Sequence, residues 1–487
     1  MASSFFLSRW LFLRLIGLTY LIAFLSLWGQ IDGLIGGNGI LPAASYLGQI
    51  SLVAGPERFW RLPTLCWLNS SDTMLHALCA GGSLLSLLLI FGIAPAPCLF
   101  FLWAFYLSLS SVCREFLNFQ WDALLLEAGF LAIFIAPLQL RSTLGRAPPP
   151  RSLAVWLLRW LLFRLVFSSG VVKLASGDPA WRSLTALTYH YETQPLPTWI
   201  GWYAHQLPGW FQTASVAVMF FIELVLPFSI FASRRVRMFG FAGLVFLQVL
   251  IAATGNYCFF NLLSLSLCLF LLDDSSWPRR WQERLLEKKE AVKRLQWPLW
   301  ILAPISAVIL FVTGAILLGT VNPRIPWPTP VIELYSLMAP FRSTNGYGLF
   351  AVMTTSRPEI VVEGSNDGEH WLAYEFKWKP GDVRRRPGFV APHQPRLDWQ
   401  MWFAALGNYE ENRWFMEFLI RLLQGSRPVL GLVAHNPFPE APPRYARALV
   451  YDYHFTDLAT RRSDSAWWRR EYKGPYCPVV SLERRGQ

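Results

Sequence analysis

Apolar stretches, each close to the width of a bilayer, recur through the first 320 residues, and the short connections between them alternate between Arg-rich and Arg-poor. The runs are Trp10–Trp28, Met74–Ile93, Ala96–Val112, Gln120–Leu138, Leu153–Lys173, Ala214–Phe231, Met238–Thr254, Tyr257–Leu272 and Leu299–Leu318. About 20 helical residues cross the ~30 Å hydrocarbon layer, and the shorter runs are marginal on that measure. Backbone in lipid must bond to itself, so the runs are expected to be helices. Buried helices of a soluble protein are the alternative, but soluble chains seldom string together so many runs of this length. The expected architecture is mainly α, a polytopic transmembrane bundle of about nine helices over residues 1–319.

Basic residues orient the bundle. One set of connections carries Arg141, Arg146 and Arg151, then Arg234, Arg235 and Arg237, then Arg279, Arg280, Arg284, Lys288, Lys289, Lys293 and Arg294. The intervening segments 29–73, 113–119 and 174–210 hold few Lys or Arg. With the N-terminus cytoplasmic, all three basic connections are cytoplasmic and everything after Leu318 lies across the membrane. One re-entrant element over 238–272, in place of two crossings around Gly255-Asn256, would reverse the last basic connection, and the charge there argues against it. The first run is too long for a signal peptide and lacks a small-residue cleavage site, so it reads as a retained helix.

Beyond Leu318 the pattern changes period. Asn322-Pro323-Arg324-Ile325-Pro326-Trp327-Pro328 is a stiff exit from the membrane. Residues 359–364 alternate as a strand does, 365–368 supply a turn, 370–376 read as a returning strand and 447–455 as another. Between them, 399–406 and 412–424 have helical spacing. Residues 320–487 are therefore expected to form a non-cytoplasmic, mostly β soluble domain with a helical insertion, large enough to bury a core. Its aromatics cluster: Trp399, Trp402, Phe403, Trp414, Phe415 and Phe418. They are either core at helical spacing or a surface that grips apolar segments of a client protein, and the first five are the client-binding candidates.

Composition fits this division: 54% of residues are hydrophobic and only 15% charged. The net charge of +12 is accounted for by the membrane-orienting connections and scattered tail arginines, and it points to lipid rather than nucleic acid as partner. Seven cysteines show neither C-x-x-C nor zinc spacing. Cys66, Cys113, Cys258 and Cys477 fall on the side where disulfides are permitted, without a pairing that sequence can assign. The sequon Asn69-Ser70-Ser71 falls on that side too and is a glycan acceptor only in a eukaryotic cell.

Nucleophile elbows, phosphate-binding loops and zinc-protease motifs are missing. The glycines at 33, 36, 37 and 39 read as a flexible loop. Ionisable side chains inside apolar runs are the stronger functional pointers: Arg14, Glu127, Arg164 and Glu223. Glu127 and Arg164 share a depth on consecutive antiparallel helices, which predicts a pair that fixes register. Asp122 sits at the outer mouth of the same helix as Glu127. The densest polar stretch runs from Ser168 through Lys173, Asp178, Trp181, His190 and Glu192 to His205. Lys173, at an apolar helix end, acts as a desolvated base, snorkels into head groups or makes a structural pair, and spacing favours the last two over catalysis. His190 and Glu192 share a face only if extended, and with no third ligand evident neither a metal nor a cofactor is expected.

Several segments carry a resemblance: Gly33-Leu-Ile-Gly-Gly-Asn-Gly-Ile-Leu-Pro42, Gln120-Trp-Asp-Ala-Leu-Leu-Leu-Glu-Ala-Gly-Phe130, Leu184 through Pro197, Arg396 through Leu406, His435-Asn-Pro-Phe-Pro439 and Pro442-Pro-Arg-Tyr445. Together they resemble the lipase maturation factor family over nearly the whole chain. The resemblance implies a multi-pass protein of the endoplasmic reticulum membrane that helps secreted lipases reach their active state, the C-terminal domain engaging the client. The end Arg484-Arg485-Gly486-Gln487 is not a retrieval signal, so the expected membrane is that of the reticulum in a eukaryote and the inner membrane in a bacterium. A fainter likeness over 150–275, carried by Ser169-Gly-Val-Val-Lys-Leu174 and Trp181, is to the membrane core of vitamin K-dependent carboxylases. It implies, for Lys173 alone, a base acting on a lipophilic substrate. The expected function is a membrane-anchored maturation factor for secreted lipases or other exported proteins, with that membrane enzyme as the alternative. Transport fits least, since neither an internal repeat nor paired broken helices are visible.

Overall fold

The structure is a computed structural model that describes residues 4–142, 144, 147–286 and 296–482. Arg146, Lys288, Lys289, Lys293, Arg294, the side chain of Arg284 and residues 484–487 lie outside the described residues.

Each of the nine apolar runs is helical. They form α1 (Phe6–Trp28), α2 (Asp72–Ile90), α3 (Pro95–Cys113), α4 (Gln120–Ile135), α5 (Ser152–Ala175), α6 (Gly209–Phe231), α7 (Arg234–Thr254), α8 (Phe260–Leu271) and α9 (Leu299–Val321). Seven are long and apolar enough to cross a membrane, and α4 and α8 are the shorter two. Local chemistry sets the ends. Helix α4 stops three residues before the expected Leu138 because Pro137 holds Ala136 extended, at φ −68° and ψ 140°. Within α6, Pro227 offers no N–H to the carbonyl of Glu223, and the helix widens into a π turn over Phe221–Val225 before tightening over Leu226–Phe231. Close approach of α1 to α4 depends on Gly129, where a β-carbon would collide with the Tyr20 ring.

The helices sort their connections onto two ends. At one end, Arg9 donates to the Pro148 carbonyl at 2.6 Å, Asp274 accepts from Leu7 N at 2.9 Å and Arg237 meets Asp273 at 3.3 Å. That end carries the Arg-rich connections. Arg14 packs on Trp10 and reaches the Ser142 carbonyl there. The C-terminal part of the chain sits on the other end.

That part starts with α10 (Thr329–Met338), which the Pro-rich exit had concealed in the sequence. A four-stranded antiparallel sheet follows, ordered β2-β1-β5-β6, from β1 (Pro358–Ser365), β2 (Leu372–Ala373), β5 (Tyr445–Phe455) and β6 (Trp468–Ser481). Glu359 lies opposite Tyr451 and Ile360 opposite Val450. The expected return strand 370–376 divides: β2 joins this sheet, while β3 (Glu375–Phe376) pairs with β4 (Val433–His435). The helical insertion is α11 (Arg396–Ala405) and α12 (Arg413–Leu423). Helix α12 turns Phe415, Phe418, Leu419 and Leu422 inward at helical spacing. The apolar core of the insertion is continuous with that of the bundle: the Trp121 and Trp399 rings are 4.7 Å apart and Phe116 and Trp414 5.9 Å. All seven cysteines are free and buried.

Candidate functional site

The junction between bundle and tail holds three clusters of buried polar groups in which side chains of one part meet partners from the other. Asp122, in the first turn of α4, is fully buried. Arg396, the first residue of α11, grips both of its oxygens at 2.8 and 2.9 Å and also donates to the Phe116 carbonyl at 2.7 Å. Tyr106 of α3 donates to Asp122 at 2.5 Å. Burial alone would lower the Arg396 guanidinium, but Asp122 and Tyr106 outweigh it and hold the group above its ordinary value. Beside it, Trp121 donates to the Gln394 side chain at 2.6 Å, and Ser26 at the end of α1 accepts from Gln394 N at 2.9 Å.

A second cluster surrounds Glu127. Arg164 of α5 pairs with it, as their shared depth led us to expect. The tail supplies the rest: Asn345 N donates to Glu127 at 3.0 Å, Tyr347 OH at 2.7 Å, and Arg164 donates to the Asn345 carbonyl at 2.9 Å.

A third cluster caps a helix. The last carbonyls of the short helix Leu187–Thr193 have no partner within it, a general feature of helix ends. Arg357 donates to the carbonyls of Glu192 and Gln194, and to that of Pro195 at 2.9 Å. It pairs with Glu359 at 2.8 Å, which Lys379 meets at 2.8 Å from the other side. Burial lowers the Arg357 guanidinium from its usual value, against the pull of Glu359 and Glu192. Asn256, between α7 and α8, accepts from Val390 N at 2.8 Å and donates to the Gly388 carbonyl at 2.8 Å.

The polar stretch from 168 to 205 separates into different environments. Lys173 donates to both Glu223 oxygens, at 2.7 and 3.0 Å, and to the Ser169 carbonyl at 3.0 Å. It is buried and held by these acceptors inside the bundle rather than extended toward head groups, an outcome that matches the structural pairing among its alternatives. Asp178 accepts from Trp181 N and Met353 N, each at 3.1 Å. His190 and Glu192 lie on one helical turn and point apart. His190 meets Tyr257 OH at 3.2 Å, whereas Glu192 accepts from Phe455 N at 2.9 Å and faces His454 at 3.5 Å. Burial and the nearby Lys173 push the His190 imidazole down to about 4. No group of three His, Cys, Asp or Glu among the described residues is placed to hold a metal.

The aromatic candidates divide unequally. Trp399, Trp402, Trp414 and Phe415 are buried, Trp402 donating to the Thr193 carbonyl at 2.9 Å. In this structure these four rings are packed inside the protein rather than presented at its surface. Phe403 alone of the five is open, at 44% exposure. Asn69 is exposed on a turn closed by a bond from Ser71 N at 2.9 Å. Arg357, Asn345, Gln394 and the docking role of Arg396 escaped the sequence reading. Arg396 stood within a family-like block, yet its partner is 274 positions away.

Comparison with known proteins adds two family models. The lipase maturation factor transmembrane domain matches residues 7–279, and the lipase maturation factor C-terminal domain matches 343–478. The chain is 39% identical to lipase maturation factor 2 of Gallus gallus, covering 97% of this chain and 81% of that protein. Identity to lipase maturation factor 2 of Homo sapiens is 38%, over 98% and 83% respectively. Identity to lipase maturation factor 1 of Bos taurus is 35%, over 99% and 90%. No solved structure matches.

Proposed function

The chain belongs to the lipase maturation factor family, and on that premise we propose that it is a membrane-anchored maturation factor whose C-terminal domain engages secreted lipases or other exported proteins. The observation that carries this reading is the seating of that domain. Buried charge clusters lock it to the end of the bundle opposite the Arg-rich connections. The charge of those connections supports a cytoplasmic N-terminus and a domain in the lumen of the endoplasmic reticulum, or in the periplasm of a bacterium. A client emerging on that side meets a rigidly mounted surface. Phe403 and Leu406 at the end of α11, and Tyr472 and Val479 on the edge strand β6, are among the apolar side chains it leaves exposed. Charged residues and Pro475 and Pro478 on β6 keep that edge from pairing indiscriminately.

The test uses the full chain, since deleting 320–487 would also strip Asp122 and Glu127 of their partners. In cells lacking their own factor, Phe403→Ala with Leu406→Ala, and separately Tyr472→Glu, are expected to lower secreted lipase activity several-fold at unchanged membrane abundance. Undiminished activity in both variants would remove the domain surface from the mechanism. A glycan on Asn69, read as a mobility shift on deglycosylation, is expected in a mammalian host. A C-terminal tag that is cytosolic in sealed microsomes would overturn the orientation.

A further inference from the structure

At the tail-bearing end of the bundle, the segment between α1 and α2, the end of α3 and residues 335–345 enclose a cavity of about 530 Å³. Its walls carry three guanidinium groups, Arg61, Arg114 and Arg342, against a single carboxylate, Glu115. Each guanidinium has five N–H donors, and the protein occupies few of them. Arg61 meets Glu57 at 2.6 Å in an exposed pair. Arg114 meets Glu115 at 3.2 Å and covers the Tyr46 ring. Arg342 reaches the neutral side-chain oxygen of Asn118 at 3.3 and 3.4 Å. The hydroxyl of Thr344, also in the wall, is on a residue only 2% exposed and has no hydrogen-bond partner among the described residues. Arg114 and Arg342 both hold positive φ, 49° and 50°, a conformation that side chains of this kind rarely adopt.

The surroundings are apolar. Trp60, next to Arg61, is half exposed and packs edge-on against Phe341, next to Arg342, at 4.8 Å. Leu52 and Val53, ending the short helix Ala43–Ala54 that supplies Tyr46, are each 87% exposed. A cationic hollow with unused donors, bordered by outward apolar side chains at the end of a membrane bundle, is complementary to a phosphate group that carries acyl chains. We propose that this cavity binds the headgroup phosphate of an anionic phospholipid from the leaflet on the tail's side. The phosphate lies among the three arginines, the Thr344 hydroxyl donates to it, and the acyl chains run along Trp60 and Leu52. Asn345, which also lines the cavity, donates to Glu127 at 3.1 Å, so the bound headgroup adjoins the fastening of the tail.

The experiment measures phospholipid retained by the purified full-length protein through gel filtration, by mass spectrometry, together with the unfolding temperature. Phosphatidylserine is expected to be retained and stabilising, and phosphatidylcholine is not. Arg61→Gln, whose only cost is an exposed pair, is expected to cut phosphatidylserine retention several-fold, and Arg114→Gln with Arg342→Gln to abolish it. If that double variant does not fold, Arg61→Gln and Thr344→Val decide. Equal retention of the two lipids, or undiminished retention in both single variants, would overturn the proposal. Stabilisation by inorganic phosphate without retention of phosphatidylserine would overturn it too, assigning the cavity to a soluble anion.

Discussion

Lys173–Glu223 and Arg396–Asp122 are both buried ion pairs with short contacts, 2.7 and 2.8 Å, yet they occupy different levels of the architecture. The first ties α5 to α6, helices adjacent in the chain, and is complete within the bundle. The second ties the bundle to the tail, with Tyr106 and the Phe116 carbonyl adding further hydrogen bonds. Electrostatically they should behave alike. Removing one partner of a buried pair costs about 3–5 kcal/mol, while replacing both by apolar residues of similar size is often neutral. The difference lies in what else fails. Losing the first pair loosens one helix contact, whereas losing the second unseats a domain. The tail is thus a structural member of the bundle, not an appendage on a tether.

The largest expected effect follows from Arg396→Met. It strands Asp122 without its counter-ion and should lower stability by about 3–5 kcal/mol. Thermal unfolding in detergent would show this, and protease would find the tail newly accessible. Adding Asp122→Leu should restore most of the lost stability without restoring lipase maturation. If the single variant unfolds like the native protein, the seating described here does not exist. Next in size is a pH effect. His190 titrates near 4 in the folded chain against 6.5 for an exposed imidazole, because burial disfavours the cation and Lys173 repels it. As pH falls below 6.5 the unfolded chain takes up this proton first, so stability is whole above that value and declines toward pH 4. The loss should reach about 3 kcal/mol at most, and His190→Gln should flatten it. A profile that the substitution leaves unchanged would place the acid sensitivity elsewhere. Smallest is the double replacement Lys173→Met with Glu223→Leu, expected to stay within about 1 kcal/mol of native and to keep lipase maturation. Loss of maturation at normal abundance would instead give Lys173 a chemical role.

Legibility followed sequence distance. The nine helices announced themselves because an apolar run of bilayer length has few other fates. Glu127 and Arg164 were readable as a pair because antiparallel neighbours place residues of equal depth together, and the same logic, applied to Lys173 and Glu223, would have paired them. Asn345 and Tyr347 were not readable: they lie about 220 positions from Glu127, and nothing local marks them. Strand β6 was missed because Gly474, Pro475 and Pro478 interrupt it, which an edge strand tolerates and a central one does not. The aromatic-bearing segments 399–406 and 412–424 were read correctly as helical. Spacing could not say whether its buried side met the domain's own core or the bundle, and it meets both.

The 274 positions between Asp122 and Arg396 also set an order of events during synthesis. A ribosome adds about 5–20 residues per second, so helix α4 waits roughly 14–55 s in the membrane before its counter-ion is made. Through that interval Asp122 lacks the guanidinium that grips both of its oxygens in the finished chain. A chain truncated anywhere before residue 396 never gains that partner, so completion of this buried pair coincides with completion of the tail's seating.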